Sequence, residues 1–516
     1  MKSQKSTAGK IINGSLVIIA VSILAKFASF ISESINANYL GSDWRSDAFY
    51  TISSVQTVIY PMLSIGISKV FLPVYKRHLA AGEPDKADIL ANRMTTFLAV
   101  ITIAVIALMM IFSEAVVSVV APGFDEKTST LCAELIRISS PMYLFIIFAS
   151  TYSAMLHCHN RFFGSQIREV VSHIPPILCA LLLYRRLGAE NGIRAMAISL
   201  LVGGICRLII ELPFVNWKYR YKPDFSFRDP EFKQTISKLP PALVSACITE
   251  VNHLVDRMMA SSFAEGAISA LHYASKLNSV FQGLLSTAVS TAFYPQMIEM
   301  IALGEKEKLT RVVLKILNIF CILMIPVTLG CIAFQQPAVE AVYQRGKFTA
   351  ENTAVTAPIF ALYSIGLLFS ACSAVLINVF YGHGDTKRPM YISIISLGVN
   401  ISLNLLFSHL MGVKGLALAT SVSAAVDMVI KILFVRKYLC VAWLKEGLTV
   451  LKILLAAAVS VGAAYFITKP ITNCYLLLIT AVIICAGIYL LLTKLMKIET
   501  VNDVFALVKH KLKRGK

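Results

Sequence analysis

The chain has 516 residues, of which 57% are hydrophobic and 15% are charged, and its mean hydropathy is +0.71. Soluble domains carry charge on about a quarter of their residues, so this composition excludes a soluble multidomain protein. The net charge of +19 does not indicate nucleic-acid binding. Lys and Arg are roughly twice as frequent in the loops on one side of the predicted helices as in the loops on the other side, and this bias is typical of membrane proteins, whose cytoplasmic loops are the more basic ones.

Long apolar runs recur along the chain from Ile11 to Leu492. Each run has at least about 18 residues, enough for a helix to cross roughly 30 Å of hydrocarbon. We therefore predict an all-α polytopic membrane protein with about fourteen transmembrane helices and both termini in the cytoplasm. The predicted spans are 11–38, 47–73, 94–119, 131–156, 165–184, 191–214, 236–262, 267–296, 310–338, 354–381, 389–411, 415–438, 449–467 and 474–494.

Cysteine and histidine usage does not indicate a metal site. The eleven Cys are scattered through apolar runs without CxxC spacing, so we interpret them as small core residues. His157-Cys158-His159 lies in one short loop with no further ligand nearby, and a zinc site would need about four ligands.

An internal repeat relates the two halves of the chain. A shift of 222 residues superimposes 48–86 on 270–308 without a gap, and the match includes the loop after the helix. Identical pairs are Phe71 and Phe293, Gly82 and Gly304, Lys86 and Lys308, and, at an offset of 224, Ser172 and Ser396.

The repeat predicts a unit of six helices that occurs twice in the same orientation. This is the parallel-repeat plan of transporters with a substrate site between the halves. The predicted domains are an N-terminal bundle over 1–225, a C-terminal bundle over 226–440, and two further helices with a basic cytoplasmic tail over 441–516.

Ionisable residues inside apolar helices are candidates for function because each is costly in lipid. Lys26 and Glu33 lie seven residues apart on helix 1, so they are close to one face. Two interpretations stay open for this set, namely ion pairing between helices and the lining of a cavity. The other members of the set are Arg207, Glu211, Glu250, His253, Asp256, Arg257, Lys276, Asp427 and Lys431.

A second polar group lies on predicted helices 11 and 12. Asn400 and Asn404 are four residues apart on one face of an apolar helix, and Thr420 lies on the next helix. Hydrogen bonding between helices explains such residues, and so does a site for a small hard cation such as sodium.

Several segments resemble the MurJ/MviN family of lipid II flippases, in the multidrug/oligosaccharidyl-lipid/polysaccharide exporter superfamily. The resemblance runs from helix 1 through helix 12. The segments that carry it are Tyr39-Leu40-Gly41 to Ser46-Asp47-Ala48-Phe49, Asp256 to Ala274, Arg345-Gly346-Lys347-Phe348, and Phe380-Tyr381-Gly382 to Asp385-Thr386-Lys387-Arg388-Pro389.

The resemblance implies a multi-pass protein of the bacterial inner membrane that moves lipid II to the periplasmic leaflet by alternating access. It implies two six-helix bundles around a cationic cavity, with a hydrophobic groove at helices 13 and 14 for the polyprenyl tail. The implied partners are a polyprenyl-pyrophosphate-linked glycan and membrane lipids, without nucleic acid, and the implied state is a monomer that is not an enzyme.

The same resemblance implies five substrate-binding residues, Lys26, Glu33, Asp47, Ser269 and Lys276. Lys26 and Lys276 replace arginines of the family, which keeps the charge but loses the bidentate fork that grips phosphate. Two further family arginines have no counterpart, because Ser32 and Tyr60 stand there.

A possible sodium site is implied by the same family. Its residues would be Asp256 on helix 7, Asn400 and Asn404 on helix 11, and Leu416 (through its carbonyl) and Thr420 on helix 12. Asn404 replaces an acid of the family and should weaken cation binding. No other cofactor is expected.

Three alternative functions stay open from the sequence. The chain could export another undecaprenyl-linked oligosaccharide, or a drug as other superfamily members do. A membrane-embedded glycosyltransferase fits less well, because such chemistry needs acidic residues in a sizeable outer loop and the outer loops here are short.

Overall fold

The computed structural model describes the backbone of residues 2–159, 161–215, 219–237, 239–385, 387–440 and 443–496, with side chains in most of these ranges. All regular secondary structure within them is helical, which agrees with the predicted all-α fold.

Helices follow one another with short connections. The helices of the first half are α1 (Lys2–Leu40), α2 (Trp44–Ile65), α3 (Leu72–Ala80), α4 (Pro84–Ile111), α5 (Ser113–Val120), α6 (Glu126–Ser139), α7 (Met142–Cys158), α8 (Phe162–Ser172), α9 (Ile174–Cys179), α10 (Arg185–Glu211), α11 (Pro230–Ile236) and α12 (Leu239–Ala260). Those of the second half are α13 (Ala267–Ala302), α14 (Lys306–Ala333), α15 (Gln335–Tyr343), α16 (Ala350–Gly382), α17 (Lys387–Met411), α18 (Val413–Val435), α19 (Trp443–Thr468) and α20 (Cys474–Leu495).

Two π-helical segments interrupt the regular pattern. Gly66–Phe71 follows α2 and Ala180–Tyr184 follows α9. The predicted helix over 165–184 is also broken, because α8 ends at Ser172 and α9 begins at Ile174. Pro175 follows directly, and its missing N–H and fixed φ suit the first turn of a helix.

The repeat found in the sequence recurs in the backbone. The predicted helices over 94–119 and 310–338 both break, at Phe112 (φ −104°, ψ 30°) and at Phe334 (φ −108°, ψ 28°). These residues are 222 positions apart, the offset of the repeat. Gly82 and Gly304 turn the preceding loops with φ of +76° and +70°, a region that glycine adopts without strain.

Eight helical stretches among the described residues are long and apolar enough to cross a membrane, and one of them, Phe162–Phe214, contains α8, α9 and α10. A ninth crossing results if α6 and α7, which meet at a bend of 42°, form one span. The predicted number of fourteen stays a prediction, since α1, α2, α12 and α13 include residues outside the described side chains.

The chain divides into two compact units. The first unit contains Met1–Ser269 and Arg345–Phe348, and the second contains Ala270–Gln344 and Thr349–Lys516. The predicted three domains, with boundaries at 225 and 440, stay a prediction.

Each unit has its own apolar core. In the first unit the π-segment after α2 packs with α3, α4 and α7 around residues such as Phe71 and Met94. In the second unit α14, α16 and α18 pack around Phe320 and Leu376, and α19 and α20 form a hairpin against α14 and α15. The α19–α20 hairpin is thus part of the second unit.

Candidate functional sites

Asp47 and Ser269, two predicted site residues, meet at the N-terminus of α13 within the first unit. Asp47 Oδ2 accepts the N–H of Gly266 at 2.8 Å, and Oδ1 accepts the N–H of Ser269 at 2.8 Å. The Ser269 hydroxyl also donates to Oδ1 and lies 3.0 Å from Ser46 Oγ. Both residues are buried, and the carboxylate satisfies donors that a helix start leaves open.

Two of the family-like segments pack against each other in the first unit. The N–H of Lys347 donates to the Asn38 carbonyl at 2.9 Å, and Gly346 has a φ of +57°. A Cβ at Gly346 would lie 2.1 Å from Asn38 Oδ1, so only glycine fits. The Lys347 ammonium lies 5.1 Å from the ring centre of Tyr184, within cation–π range. The sequence did not reveal this contact between distant segments.

Lys26, Glu33 and Lys276 are half-buried on long helices. Lys26 and Glu33 lie on α1 in the first unit, where Glu33 Oε2 accepts the Tyr50 hydroxyl at 3.3 Å. Lys276 lies on α13 in the second unit. Joint binding of one anion by the two lysines stays a prediction.

The predicted sodium ligands are distributed over both units. Asp256 is buried on α12 in the first unit, and the other four lie on α17 and α18, which pack together in the second. Asn404 Nδ2 donates to Asn400 Oδ1 at 2.9 Å, and both amides are fully buried. Thr420 Oγ1 donates to the Leu416 carbonyl at 3.0 Å.

The four residues in the second unit offer amide, hydroxyl and carbonyl oxygens, which are ligands of the kind that a small hard cation takes. Among the described residues, no group of three or more His, Cys, Asp or Glu is placed to hold a metal ion.

An apolar groove of about 570 Å³ lies within the second unit, between α13, α14 and α16 on one side and α19 and α20 on the other. Pro326 in α14 has no N–H for the Ile322 carbonyl four residues earlier. The Tyr489 hydroxyl of α20 donates to that carbonyl at 2.9 Å. The groove lining includes Phe281, Leu323, Pro326, Phe360, Leu478 and Val482.

Comparison with known families decides the relationship. The model of the family described as lipid II flippase MurJ matches residues 36–487. The chain belongs to the MurJ family. It is a multi-pass membrane protein of that family, with several apolar helices.

Curated relatives of the MurJ family cover most of the chain. The probable lipid II flippase MurJ of Rickettsia prowazekii is 25% identical over 413 residues, which is 79% of this chain and 80% of the relative. That of Thermotoga maritima is 24% identical over 493 residues, which is 94% of this chain and 97% of the relative.

Solved structures share the fold. A lipid II flippase MurJ in an inward closed conformation matches with a TM-score of 0.80 at 22% identity, over 93% of this chain and 98% of that one. An inward-facing multidrug resistance transporter of the MATE family matches with a TM-score of 0.65 at 14% identity, over 82% and 97% of the two chains.

The MurJ fold of this chain buries a charged cluster in the first unit that the sequence only half revealed. Arg207 pairs with Glu169, and Arg168 Nη1 lies 3.4 Å from Glu211 Oε1, whose side chain is fully buried. Arg207 and Glu211 are candidates from the sequence, whereas Arg168 and Glu169 are found only from the packing. The sequence feature that could have identified Arg168 and Glu169 is that two adjacent charged residues lie inside the predicted span 165–184.

Proposed function

We propose that this chain is a flippase that moves lipid II from the cytoplasmic to the periplasmic leaflet by alternating access, without covalent chemistry. The observation that carries the proposal is the match of the family model over residues 36–487. The named function of the curated relatives, with coverage of 79–94% of this chain, points the same way.

The apolar groove supports a lipid substrate. A polyprenyl chain can stay in an apolar environment while its headgroup crosses, and the groove walls offer such an environment beside the lipid. Helices α19 and α20, which lie outside the repeated six-helix units, form one wall of the groove and so have a role in this proposal.

The headgroup requires a different surface, since a pyrophosphate needs cations in a hydrated cavity. Lys26 and Lys276 are the proposed cations, with Glu33 as another proposed binding residue. Asp47 and Ser269, which are buried and bonded to each other, have the proposed role of positioning α13, the helix that carries Lys276. A lysine contributes a point charge, so phosphate binding here relies on charge more than on a fixed fork geometry.

A second candidate is the export of another undecaprenyl-linked oligosaccharide. Ser32, which is buried on α1, and Tyr60 stand where the family has arginines. Fewer cations would suit a headgroup of lower charge.

Complementation separates the two candidates. The chain is expressed in a bacterium depleted of its own lipid II flippase, and membrane levels are measured by immunoblot. Growth with normal cell shape supports lipid II as the substrate. Lysis despite normal membrane levels would favour a different glycan.

Sodium is the proposed coupling ion, held by Asp256, Asn400, Asn404, Thr420 and the Leu416 carbonyl. In a thermal-shift assay at constant ionic strength, sodium should stabilise the wild-type protein more than potassium does, because binding to the folded state raises its stability. Asp256→Ala should remove the difference. Identical responses of the two proteins would reduce these residues to hydrogen bonding between helices.

The proposed location is the bacterial inner membrane, with both termini in the cytoplasm and the chain acting as a monomer. Single cysteines at Arg228 and Asp125, in a background without reactive native cysteines, test the orientation. An impermeant thiol reagent added to intact cells should label Asp125→Cys and leave Arg228→Cys unlabelled. Labelling of both positions from outside would refute the topology.

A further inference from the structure

A buried ammonium group in the second unit contacts α16 and α18, and α17 contacts the carboxylate that balances it. Lys431 on α18 is 5% exposed, and its Nζ lies 2.7 Å from Asp427 Oδ2 and 2.7 Å from Ser373 Oγ of α16. The Ser373 hydroxyl donates to the same carboxylate oxygen. Ser396 Oγ of α17 donates to Asp427 Oδ1 at 3.2 Å. We call these three oxygen-bearing residues, Asp427, Ser373 and Ser396, the oxygen cage.

The oxygen cage has the composition of a monovalent-cation site. It presents one carboxylate and two hydroxyl groups from three helices, and hard oxygen donors of this kind bind alkali cations. Its charge is already balanced, because Asp427 is the one carboxylate in the sequences of α17 and α18 and Lys431 lies one turn from it.

The cage is distinct from the proposed sodium site, although it lies on the same helices. Ser396 is one helical turn from Asn400, and Asp427 is two turns from Thr420. The residues of the sodium site on α17 and α18 are neutral, whereas the oxygen cage contains a carboxylate.

The internal repeat contains a related arrangement. The offset of 224 that pairs Ser172 with Ser396 also pairs Arg207 with Lys431. In the first unit Arg207 forms an ion pair with Glu169 on α8. Each repeat therefore carries a cation at the same position of its sixth helix. The carboxylate that pairs with it lies on α8 in the first unit and on α18, the same helix as the cation, in the second.

We propose that the oxygen cage is a monovalent-cation site whose resident cation is the tethered ammonium of Lys431. The second unit then requires no dissolved ion at this place, because its own side chain balances Asp427. Removal of the ammonium converts the cage into a site for sodium or lithium. The proposal does not depend on the transported substrate.

The test measures thermal unfolding of the purified full-length protein in detergent, with sodium, lithium or choline chloride at constant ionic strength. All variants carry Asp256→Ala, which removes the proposed sodium site. With Lys431→Met, sodium and lithium should raise the melting temperature by several degrees over choline. With native Lys431, the three salts should give the same value. Equal values in the Lys431→Met protein would overturn the proposal.

Lys431→Met with Asp427→Asn is the matched control, because it leaves a cage of similar shape without a charge. It should show no cation response, and a retained response would place the bound ion elsewhere and overturn the proposal. If Lys431→Met alone does not fold, the double variant should be recovered from membranes at near wild-type yield, since the uncompensated carboxylate is then the cause. Loss of both proteins would assign Lys431 a packing role and overturn the proposal.

Discussion

At the level of single residues, family-like sequence positions correspond to helix starts. Asp47 closes the N-terminus of α13, and Asp385 closes that of α17 by accepting the N–H of Arg388 at 3.1 Å. The chemistry of an aspartate beside Ser or Gly could be anticipated from sequence. The partner of Asp47 could not, because Gly266 and Ser269 are more than two hundred residues away.

Asp47→Ala should destabilise the protein more than loss of an ordinary helix cap does. Asp47 accepts two backbone N–H groups and a hydroxyl, and bonds to a charged group contribute about 1.5–3 kcal/mol each. Asp125→Ala is the control, because Asp125 accepts the N–H of Thr128 at 3.2 Å as the N-cap of α6, a contact worth about 1 kcal/mol. Thermal unfolding in detergent measures both. Equal losses would contradict the assigned role of Asp47.

Asp385 predicts a pH dependence of stability. Burial alone would raise the pKa of Asp385, but the N–H and guanidinium of Arg388 and the Tyr438 hydroxyl outweigh it and hold the pKa below its ordinary value. A carboxyl whose pKa is lower when folded stabilises the protein above its unfolded pKa of about 4 and loses that contribution as pH falls through the folded pKa.

Melting temperatures of the wild type and Asp385→Asn between pH 7 and about pH 3 check this contribution. The difference between the two proteins should be largest at neutral pH and shrink as the pH drops below about 4. A difference that stays constant with pH would mean that the Asp385 carboxylate contributes no charge-dependent stability.

At the level of helices, periodicity and length located the apolar segments but not their breaks. The interruption at Phe112 carries no Pro or Gly signal of its own, and the one at Phe334 is marked in the sequence by Pro337 alone, three residues further on. Their positions become meaningful only together, because both are the same residue at the repeat offset. The π-segments Gly66–Phe71 and Ala180–Tyr184 could not be predicted from the sequence either. A π-segment adds about one residue to a helical turn, and this does not change the length or the composition by which a span is recognised.

The bond from Tyr489 to the Ile322 carbonyl should stabilise α20 against α14. Without the hydroxyl, a carbonyl that Pro326 leaves unpaired is buried without a donor, which costs about 1–3 kcal/mol. Tyr489→Phe should therefore lower the melting temperature, and Tyr465→Phe, at a residue 46% exposed on α19, should not. Pro326→Ala restores an N–H for Ile322 and should reduce the cost of Tyr489→Phe. Additive effects of the two substitutions would refute the coupling.

At the level of the whole molecule, the repeat and the family-like segments led to the fold and the family. The candidate substrate residues were harder to evaluate, because Lys26 belongs to the first unit and Lys276 to the second. A joint binding role for the two lysines is inferred from their charge and from their positions in the family. The contacts within one unit give no evidence for it, because each unit contains only one of the two lysines. The buried cluster of Arg168 and Glu211 illustrates the opposite case, in which packing within one unit was needed to find partners.

The central claim is that this chain carries lipid II across the membrane with the help of Lys26 and Lys276. The most direct measurement is the fraction of lipid II that an externally added headgroup-cleaving enzyme reaches in cells depleted of their own flippase. The wild-type chain and both Lys→Arg variants should restore cleavage. Either Lys→Ala variant should reduce it about ten- to a hundredfold at normal membrane levels, as expected for the loss of a charge-assisted contact. The account would be contradicted if lipid II stayed uncleaved although the wild-type protein was abundant. It would also be contradicted if lipid II was fully cleaved in cells with either of the two alanine variants.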